Sequence, residues 1–476
     1  RILAVSSWLQ GAGWGFLFGI GHFYLGFIWL LTSLHDYGGL SRPLSYLVLF
    51  VLSAAMSVYL ALFGAMLPYL ARRSWWLMAL AAPSLWVVLE WLRGTLFSGF
   101  PWNLIGYAWD PWFTILQIAD LGGVYLLSWL TLFLAALLAG MRHAHTSGRS
   151  RTVSLAVGLC VLGMAHGYGL WRIHHLTAIQ EKNLWVVPAR IGLVQGNIAQ
   201  NLKWDPAFQD KTVEIYQKLT RTLPGGLDLV IWPETAIPFL IQSSPEHLEQ
   251  IDTLVMGQGA SLLTGAPSAQ RYENTSWHFF NSMFLLEGDG VLNRRYDKHH
   301  LVPFGEYIPF RDFIPATFTK FTEGTEDFYA GVGPALLPWT GGALGPLICY
   351  EAIFPEEVRQ LARAGAKWLI NITNDGWFGE EAKPQHMAMT RMRAVENRLP
   401  LIRVANTGIS VVFDYLGQEL ARIPANVRQA IAVDVPRTSS DSLYRRTGLL
   451  WVWGCILLTI ALSILAYFFP NLEKKE

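Results

Sequence analysis

The stretch Leu344-Gly-Pro-Leu-Ile348-Cys349-Tyr350-Glu351, followed by a helical pattern near 355–364 and then by Lys367-Trp-Leu-Ile-Asn-Ile372, decides the fold. Two short, nearly all-apolar runs flank a helix, and each ends in polar residues. Short continuous apolar runs bounded by turn signals read as buried strands. The second run opens into Thr373-Asn374-Asp375-Gly376-Trp377-Phe378, and a helix is expected near 384–396. Strand, helix and strand in alternation point to an α/β domain.

The same rhythm extends outward. Strands are expected at 190–195 and 227–232, the second running into Pro233-Glu234-Thr235. Lys203-Trp204-Asp205-Pro206 leads into a helix near 207–222, and 251–263 reads as helix, then extended chain. Asn281–Leu286 is a strand closed by the turn Glu287-Gly-Asp-Gly290, with Val291–Tyr296 returning as its hairpin partner. Late strands fall at 401–405 and 409–413. Hairpins among alternating strands and helices imply a mixed sheet, whose site lies at strand C-terminal ends.

Beyond this domain the composition changes. The 476 residues are 52% hydrophobic and only 15% charged, with 21 Trp, against roughly 25% charged in ordinary soluble chains. Apolar stretches near 10–31, 44–70, 75–92, 115–140 and 152–171 read as membrane spans, and 448–469 as a sixth. The expected division is transmembrane helices over 1–172, a domain of soluble character over 175–440 and a C-terminal span over 448–469. If the spans alternate, Arg72, Arg73, Arg142, Arg149, Arg151, Lys474 and Lys475 share one side, and Arg42, Arg93, Arg445 and Arg446 the other. That bias of seven to four assigns the first side to the cytoplasm and the domain to the periplasm. Glu90 reads as an interfacial or paired carboxylate, and the Trp residues of 100–112 as an interfacial belt or the rim of a lipid-facing mouth. Net charge of +1 gives no support to nucleic-acid binding. Cys160, Cys349 and Cys455 are too few and too scattered for a thiolate metal site, and a lone cysteine within 175–440 excludes a disulfide inside that domain.

Glu234, Lys298 and Cys349 each stand at or just past a strand end. A cysteine nucleophile needs a base to make thiolate and a cation or donors to hold an oxyanion, and this trio supplies them. Taken singly, Cys349 is also a small buried apolar side chain, Glu234 a helix N-terminal carboxylate and Lys298 a solvated turn residue. Spacing alone does not show that the three converge.

Trp232-Pro-Glu234-Thr, Tyr296-Asp-Lys298-His-His-Leu-Val-Pro-Phe-Gly-Glu306-Tyr307-Ile-Pro and Ile348-Cys349-Tyr350-Glu351 resemble the carbon–nitrogen hydrolase (nitrilase-like) superfamily. With spans on both sides, the whole chain is similar to bacterial apolipoprotein N-acyltransferases. The resemblance implies an αββα sandwich set among membrane helices. It also implies eight spans, two of them upstream of residue 1, so that 11–31 corresponds to the family's third. It implies acyl transfer from a glycerophospholipid to the N-terminal amine of a diacylglyceryl-cysteine apolipoprotein, through a thioester. Carried over, Cys349 is the nucleophile, Glu234 the general base, Lys298 the oxyanion stabiliser and Glu306 a second essential carboxylate. Trp204, Asn281, Tyr350, Glu351, Trp377 and Phe378 are implied to contact substrate or border its entry, Trp204 on a lid loop. No cofactor and no metal are implied, and the chain is expected to be a monomer in the inner membrane.

The chemistry is self-consistent. A thioester splits one hard transfer into two, and an apolar chamber disfavours water as the second nucleophile. Each buried CH₂ contributes about 0.8 kcal/mol, so a long acyl chain leaves the bilayer only along an apolar path. Two other readings share some features. A membrane-anchored nitrilase or amidase acting on a small amide would need only one or two spans. A transporter or channel would need polar or broken helices at midplane.

Overall fold

Residues 7–71, 75–141, 148–182, 187–203, 205–271, 277–289, 291–292, 294–309, 327–437 and 440–468 are described by a computed structural model. Trp204 lies outside the described residues, as do Arg72, Arg73, Arg142, Gly290, Lys474 and Lys475. The chain forms two compact units: residues 1–28, 42–179 and 442–476 in one, residues 29–41 and 180–441 in the other.

The first unit is built from α1 (Trp8–Gly26), α2 (Arg42–Ala71), α3 (Trp75–Arg93), a short turn α4 (Phe113–Leu116), α5 (Ala119–Met141) and α6 (Gly148–Lys182). Four of these, α2, α3, α5 and α6, are long and apolar enough to cross a membrane. Glycine is why α1 and α2 lie close. A Cβ on Gly11 would sit 2.2 Å from the Gly64 carbonyl oxygen, and one on Gly15 would sit 2.1 Å from that of Leu60. Gly19 faces the small Ser57 side chain, where a Cβ would stand 2.8 Å from Ser57 Cβ. Small residues every fourth position let two backbones touch where lipid offers no hydrophobic drive for association.

Three sequence expectations change here. The first span does not run from 10 to 31. Helix α1 ends at Gly26, and Trp29 onward folds with the other unit, so the apolar run 27–31 divides between two environments. Helix α6 continues past 171 to Lys182. Trp102 is a core residue and not part of an interfacial belt: it is fully buried, and its carbonyl accepts from Arg93 Nη1 at 2.7 Å. The same guanidinium nitrogen donates to Phe100 O at 2.7 Å, which makes Arg93 the brace of this loop. Trp112 in the same loop is 61% exposed. Glu90 is paired, accepting from Ile105 N at 2.8 Å.

The second unit is a two-sheet sandwich. One sheet has six strands in the order β11-β1-β2-β3-β4-β5, namely β1 (Ala189–Gln195), β2 (Leu229–Ile231), β3 (Ser261–Arg271), β4 (Trp277–Leu286), β5 (Arg295–Asp297) and β11 (Gln429–Val435). The other has five in the order β10-β9-β8-β7-β6, namely β6 (Leu344–Ile348), β7 (Trp368–Thr373), β8 (Leu401–Ala405), β9 (Ser410–Phe413) and β10 (Glu419–Ile423). Strands β1, β2 and β3 run parallel, as do β6, β7 and β8, while the outer partners are antiparallel. Ile191, Leu193, Ile231 and Leu263 meet Ile348, Ile370, Ile402 and Val404 in the core shared by the two sheets.

Helices cover the outer faces. After a short turn α7 (Gln200–Lys203), α8 (Gln209–Arg221) and α9 (Pro245–Gln258) pack on the first sheet; α10 (Pro355–Ala364) and α11 (Ala382–Asn397) pack on the second. Pro355 opens α10 and Gly365, at φ 111°, closes it, the usual division of labour between these residues at helix ends. The chain returns to the first unit through α12 (Leu443–Thr447) and α13 (Leu450–Phe468). Edge strands β10 and β11 were not anticipated from the sequence. Strand β10 is largely solvent-facing, whereas β11 is half-buried, with Ile431, Val433 and Val435 packed on the shared core.

Candidate active site

Glu234 leaves the end of β2 through a turn in which Thr235 takes a left-handed φ of 50°. Gly265 on the neighbouring strand makes room for it: a Cβ there would stand 2.7 Å from Glu234 Cα and 2.5 Å from Thr235 N. Asn281 lies on β4, and the β4–β5 pairing carries Lys298 beside it, with Lys298 N donating to Asn281 O at 2.8 Å. The chain then doubles back through Phe304, at φ 62°, and returns Glu306 toward Lys298.

These side chains form a buried polar cluster. Lys298 Nζ lies 2.9 Å from each carboxylate oxygen of Glu306 and 4.0 Å from Glu234 Oε1. Asn281 Nδ2 donates to Glu234 Oε1 at 2.8 Å and to Glu306 Oε1 at 2.9 Å, bridging the two acids. Glu306 Oε2 also accepts from Val302 N at 2.8 Å. The opposite sheet contributes Asn374, whose N–H donates to Glu234 Oε2 at 2.7 Å. Burial opposes the charge of Lys298, but Glu306, Glu234 and Cys349 outweigh it and raise its pKa. It is a permanent cation.

Cys349 follows β6 and opens a 3-10 turn, Cys349–Ile353, with a left-handed φ of 53°. A non-glycine residue in that region is strained unless its surroundings hold it, and two devices do so. Glu351 Oε2 accepts from Ile348 N at 2.6 Å, while Oε1 accepts from Tyr296 Oη at 2.8 Å and His299 N at 2.7 Å. This carboxylate therefore ties the Cys349 turn to the Lys298 loop. Burial pushes its pKa up to about 7 against those bonds. Behind the turn, Asn371 Nδ2 donates to Cys349 O at 3.2 Å, and Arg403 Nη1 donates to Asn371 Oδ1 at 2.5 Å. Arg403 Nη2 donates to Asp375 Oδ2 at 2.6 Å, and His386 Nδ1 lies 3.2 Å from Asp375 Oδ1. Burial works to raise the Asp375 pKa, but Arg403 and His386 hold it low.

The thiol of Cys349 is raised in pKa, first by burial and then by the Glu234 carboxylate, with Lys298 and a hydrogen bond from Thr373 pulling the other way.

Of the residues singled out from sequence, Glu234, Asn281, Lys298 and Glu306 are joined by direct bonds, and Cys349 is in electrostatic contact with Glu234 and Lys298. Tyr350 is buried, with its ring edge-on to Phe354 at 5.1 Å. Trp377 and Phe378 are half-buried and carry partners from the segment between α1 and α2: Trp29 meets Phe378 at 4.9 Å, Tyr37 meets Trp377 at 5.2 Å, and Ser33 Oγ donates to Trp377 O at 2.6 Å.

Sequence reasoning passed over Lys203, Gln200, Asn374 and the Arg403–Asn371 relay. Lys203 is 1% exposed, and its Nζ donates to Glu234 O at 2.8 Å. No local pattern marks it, because a lysine before Trp-Asp-Pro reads as a solvated loop residue.

The chain is similar to known proteins along most of its length. The carbon-nitrogen hydrolase family model matches residues 190–445, and the model of the apolipoprotein N-acyltransferase N-terminal domain matches residues 2–137. An apolipoprotein N-acyltransferase of Geobacter metallireducens is 36% identical over 463 residues, covering 95% of this chain and 86% of the relative. One of Haemophilus influenzae is 33% identical over 466 residues, covering 95% of this chain and 86% of the relative. An amidase from Nesterenkonia sp. aligns at 23% identity over 56% of this chain and 95% of its own, with a TM-score of 0.40. Matched along nearly its whole length by such relatives, the chain belongs to the apolipoprotein N-acyltransferase family, multi-pass enzymes of the bacterial inner membrane that transfer acyl groups in lipoprotein biosynthesis.

Proposed function

We propose that this chain moves an acyl group from a glycerophospholipid onto Cys349 as a thioester, and from there to the N-terminal amine of a diacylglyceryl-cysteine apolipoprotein. The observation that carries the reading is the Glu234–Asn281–Glu306–Lys298 network in electrostatic contact with Cys349. As Sγ attacks the ester carbonyl, its proton passes to Glu234 and the carbonyl oxygen becomes an oxyanion facing Lys298. Such a donor is worth about 3–4 kcal/mol of transition-state stabilisation. The C–O bond breaks, the proton on Glu234 goes to the departing alkoxide, and a lysophospholipid leaves. In the second half the amine attacks the thioester, gives its proton to Glu234, and the thiol is restored as the amide forms. Glu306 keeps the ammonium oriented. Glu351, its oxygens taken by the chain's own donors, acts by bracing the Cys349 turn, whereas Tyr350, Trp377, Phe378 and Trp204 remain the residues proposed to meet lipid.

We read the 175–440 domain as periplasmic from the charge bias. Residues 29–41 pack with that domain, which fits the alternation that puts the first loop and the domain on one side. An amidase reading would share the Glu–Lys–Cys cluster but leaves the N-terminal match over residues 2–137 unexplained. The test is intact-mass measurement of the purified protein after incubation with phospholipid alone. An acyl-sized increment on the wild type that Cys349→Ala abolishes is expected. An adduct persisting in Cys349→Ala places the nucleophile elsewhere, and no adduct on the wild type rejects the thioester.

A further inference from the structure

The short turn α7 grips the base of the site from two directions. At its start, Gln200 Oε1 accepts from Asn374 Nδ2 at 2.7 Å, and the main-chain N–H of that same Asn374 donates to Glu234 Oε2 at 2.7 Å. At its end, Lys203 reaches 2.8 Å to the main-chain carbonyl of Glu234. Both the carboxylate and the backbone of Glu234 are thus held from α7. A buried ammonium costs several kcal/mol in desolvation, yet Lys203 bonds a neutral carbonyl that any small donor would satisfy. Its charge is therefore out of proportion to its structural task. The groups that face it electrostatically are Glu234 and Cys349. Around these two stand Lys298, Glu306 and Asp375.

We propose that Lys203 is a second ammonium of the acyl-transfer site, a positioning residue that fixes Glu234 through its carbonyl and whose charge, added to that of Lys298, favours ionisation of Cys349. The proposal rests on the reading of Cys349 as nucleophile and Glu234 as base. It gives the site two cations with different properties. Lys298 stays charged, clamped by Glu306. Lys203, with no carboxylate bonded to it among the described residues, has its pKa lowered by burial to about 8, against the pull of Glu234 and Cys349. Its help is present at neutral pH and withdrawn above pH 8, a behaviour that packing alone does not produce.

The test reads the Cys349 thiol directly in the full-length protein in detergent. Iodoacetamide alkylation of Cys349 is followed by peptide mass spectrometry, which separates it from Cys160 and Cys455. At pH 7, Lys203→Met is expected to slow alkylation by about tenfold, one pKa unit of the thiol, and the deficit is expected to close by pH 9.5, where wild-type Lys203 is itself neutral. A deficit of the same size at both pH values, or none at pH 7, overturns the proposal. Lys203→Arg, which stays charged, supplies an independent arm and covers the case in which Lys203→Met does not fold. It is expected to match wild type at pH 7 and exceed it at pH 9.5, and a profile parallel to wild type at both also overturns the proposal. Alkylation needs no lipid, so its outcome is separate from that of the phospholipid adduct. A wild type that forms the adduct while both variants behave as wild type refutes the role of Lys203 alone. A wild type that forms no adduct refutes the thioester reading.

Discussion

Lys298 is clamped by Glu306, its Nζ 2.9 Å from both oxygens of that carboxylate. The pairing leaves Glu234, at 4.0 Å, free of a tight ion pair. That separation matters for the chemistry. A base bonded closely to an ammonium is a poor acceptor for a thiol proton.

Glu306→Gln keeps the shape of the side chain and removes its charge. Lys298 is then expected to shift onto Glu234 and quench it. Formation of the Cys349 acyl-enzyme, timed by mass spectrometry, should slow by roughly a hundredfold, about 3 kcal/mol, the scale of a lost oxyanion donor. A wild-type rate in Glu306→Gln shows that the clamp has no part in acylation.

Gly265→Ala tests how tightly Glu234, the proposed base, is seated. The added methyl would lie 2.5 Å from Thr235 N, so the Glu234 turn must move. Overpacking of this kind costs about 1–3 kcal/mol. A lower melting temperature is expected, together with slow acylation. Unchanged acylation at reduced stability means that Glu234 tolerates displacement.

The pH dependence of stability follows from Lys203. Its folded-state pKa of about 8 lies below the ordinary value of 10.5, so between those values the unfolded chain binds the extra proton. Stability contributed by this group therefore rises as pH increases across that window, by up to ~3 kcal/mol. The melting temperature of Lys203→Met minus that of wild type should be largest near pH 7 and shrink toward pH 10. A difference that grows with pH contradicts the sign.

In the membrane unit, Gly13 and Gly15 form a matched pair. A Cβ on Gly13 meets nothing within 4 Å, whereas one on Gly15 runs into the Leu60 carbonyl. Gly15→Ala is expected to destabilise the detergent-solubilised protein by about 1–3 kcal/mol, read as a drop in melting temperature, while Gly13→Ala leaves it unchanged or slightly raised. Equal effects at both positions would mean that α1 and α2 are not held by backbone contact.

Much of this protein is legible in one dimension because its signals are local. The strands at 190–195 and 344–348 announce themselves as short apolar runs that end in polar residues, and α10 is bracketed by Pro355 and Gly365. Glu234 and Cys349 stand out at the ends of apolar strands and Glu306 in a Pro- and Gly-bearing loop, whereas Lys298 lies in the polar run 294–300 and is marked by the motif that it shares with Glu306. The solvent-facing edge β10 carries no comparable pattern, and β11, apolar as it is, joins the sheet only through its antiparallel pairing with β1, far away in sequence.

Tertiary structure decided what each charge does. Whether Lys298 belongs to Glu306 or Glu234 depends on a loop closing through Phe304, and that Lys203 belongs to the site at all depends on α7 lying over the end of β2. The apolar run at 27–31 looks like the end of a span, yet Trp29 folds against Phe378. Trp102 looks interfacial, yet it is buried, with its carbonyl held by Arg93. Burial and partner choice are set by how the chain closes on itself, whether the partner is a loop away, as for Lys298 and Glu306, or far off in sequence, as for Trp29 and Phe378. Hydropathy read along the chain reports that a side chain must leave water, and only the packed chain determines what replaces that water.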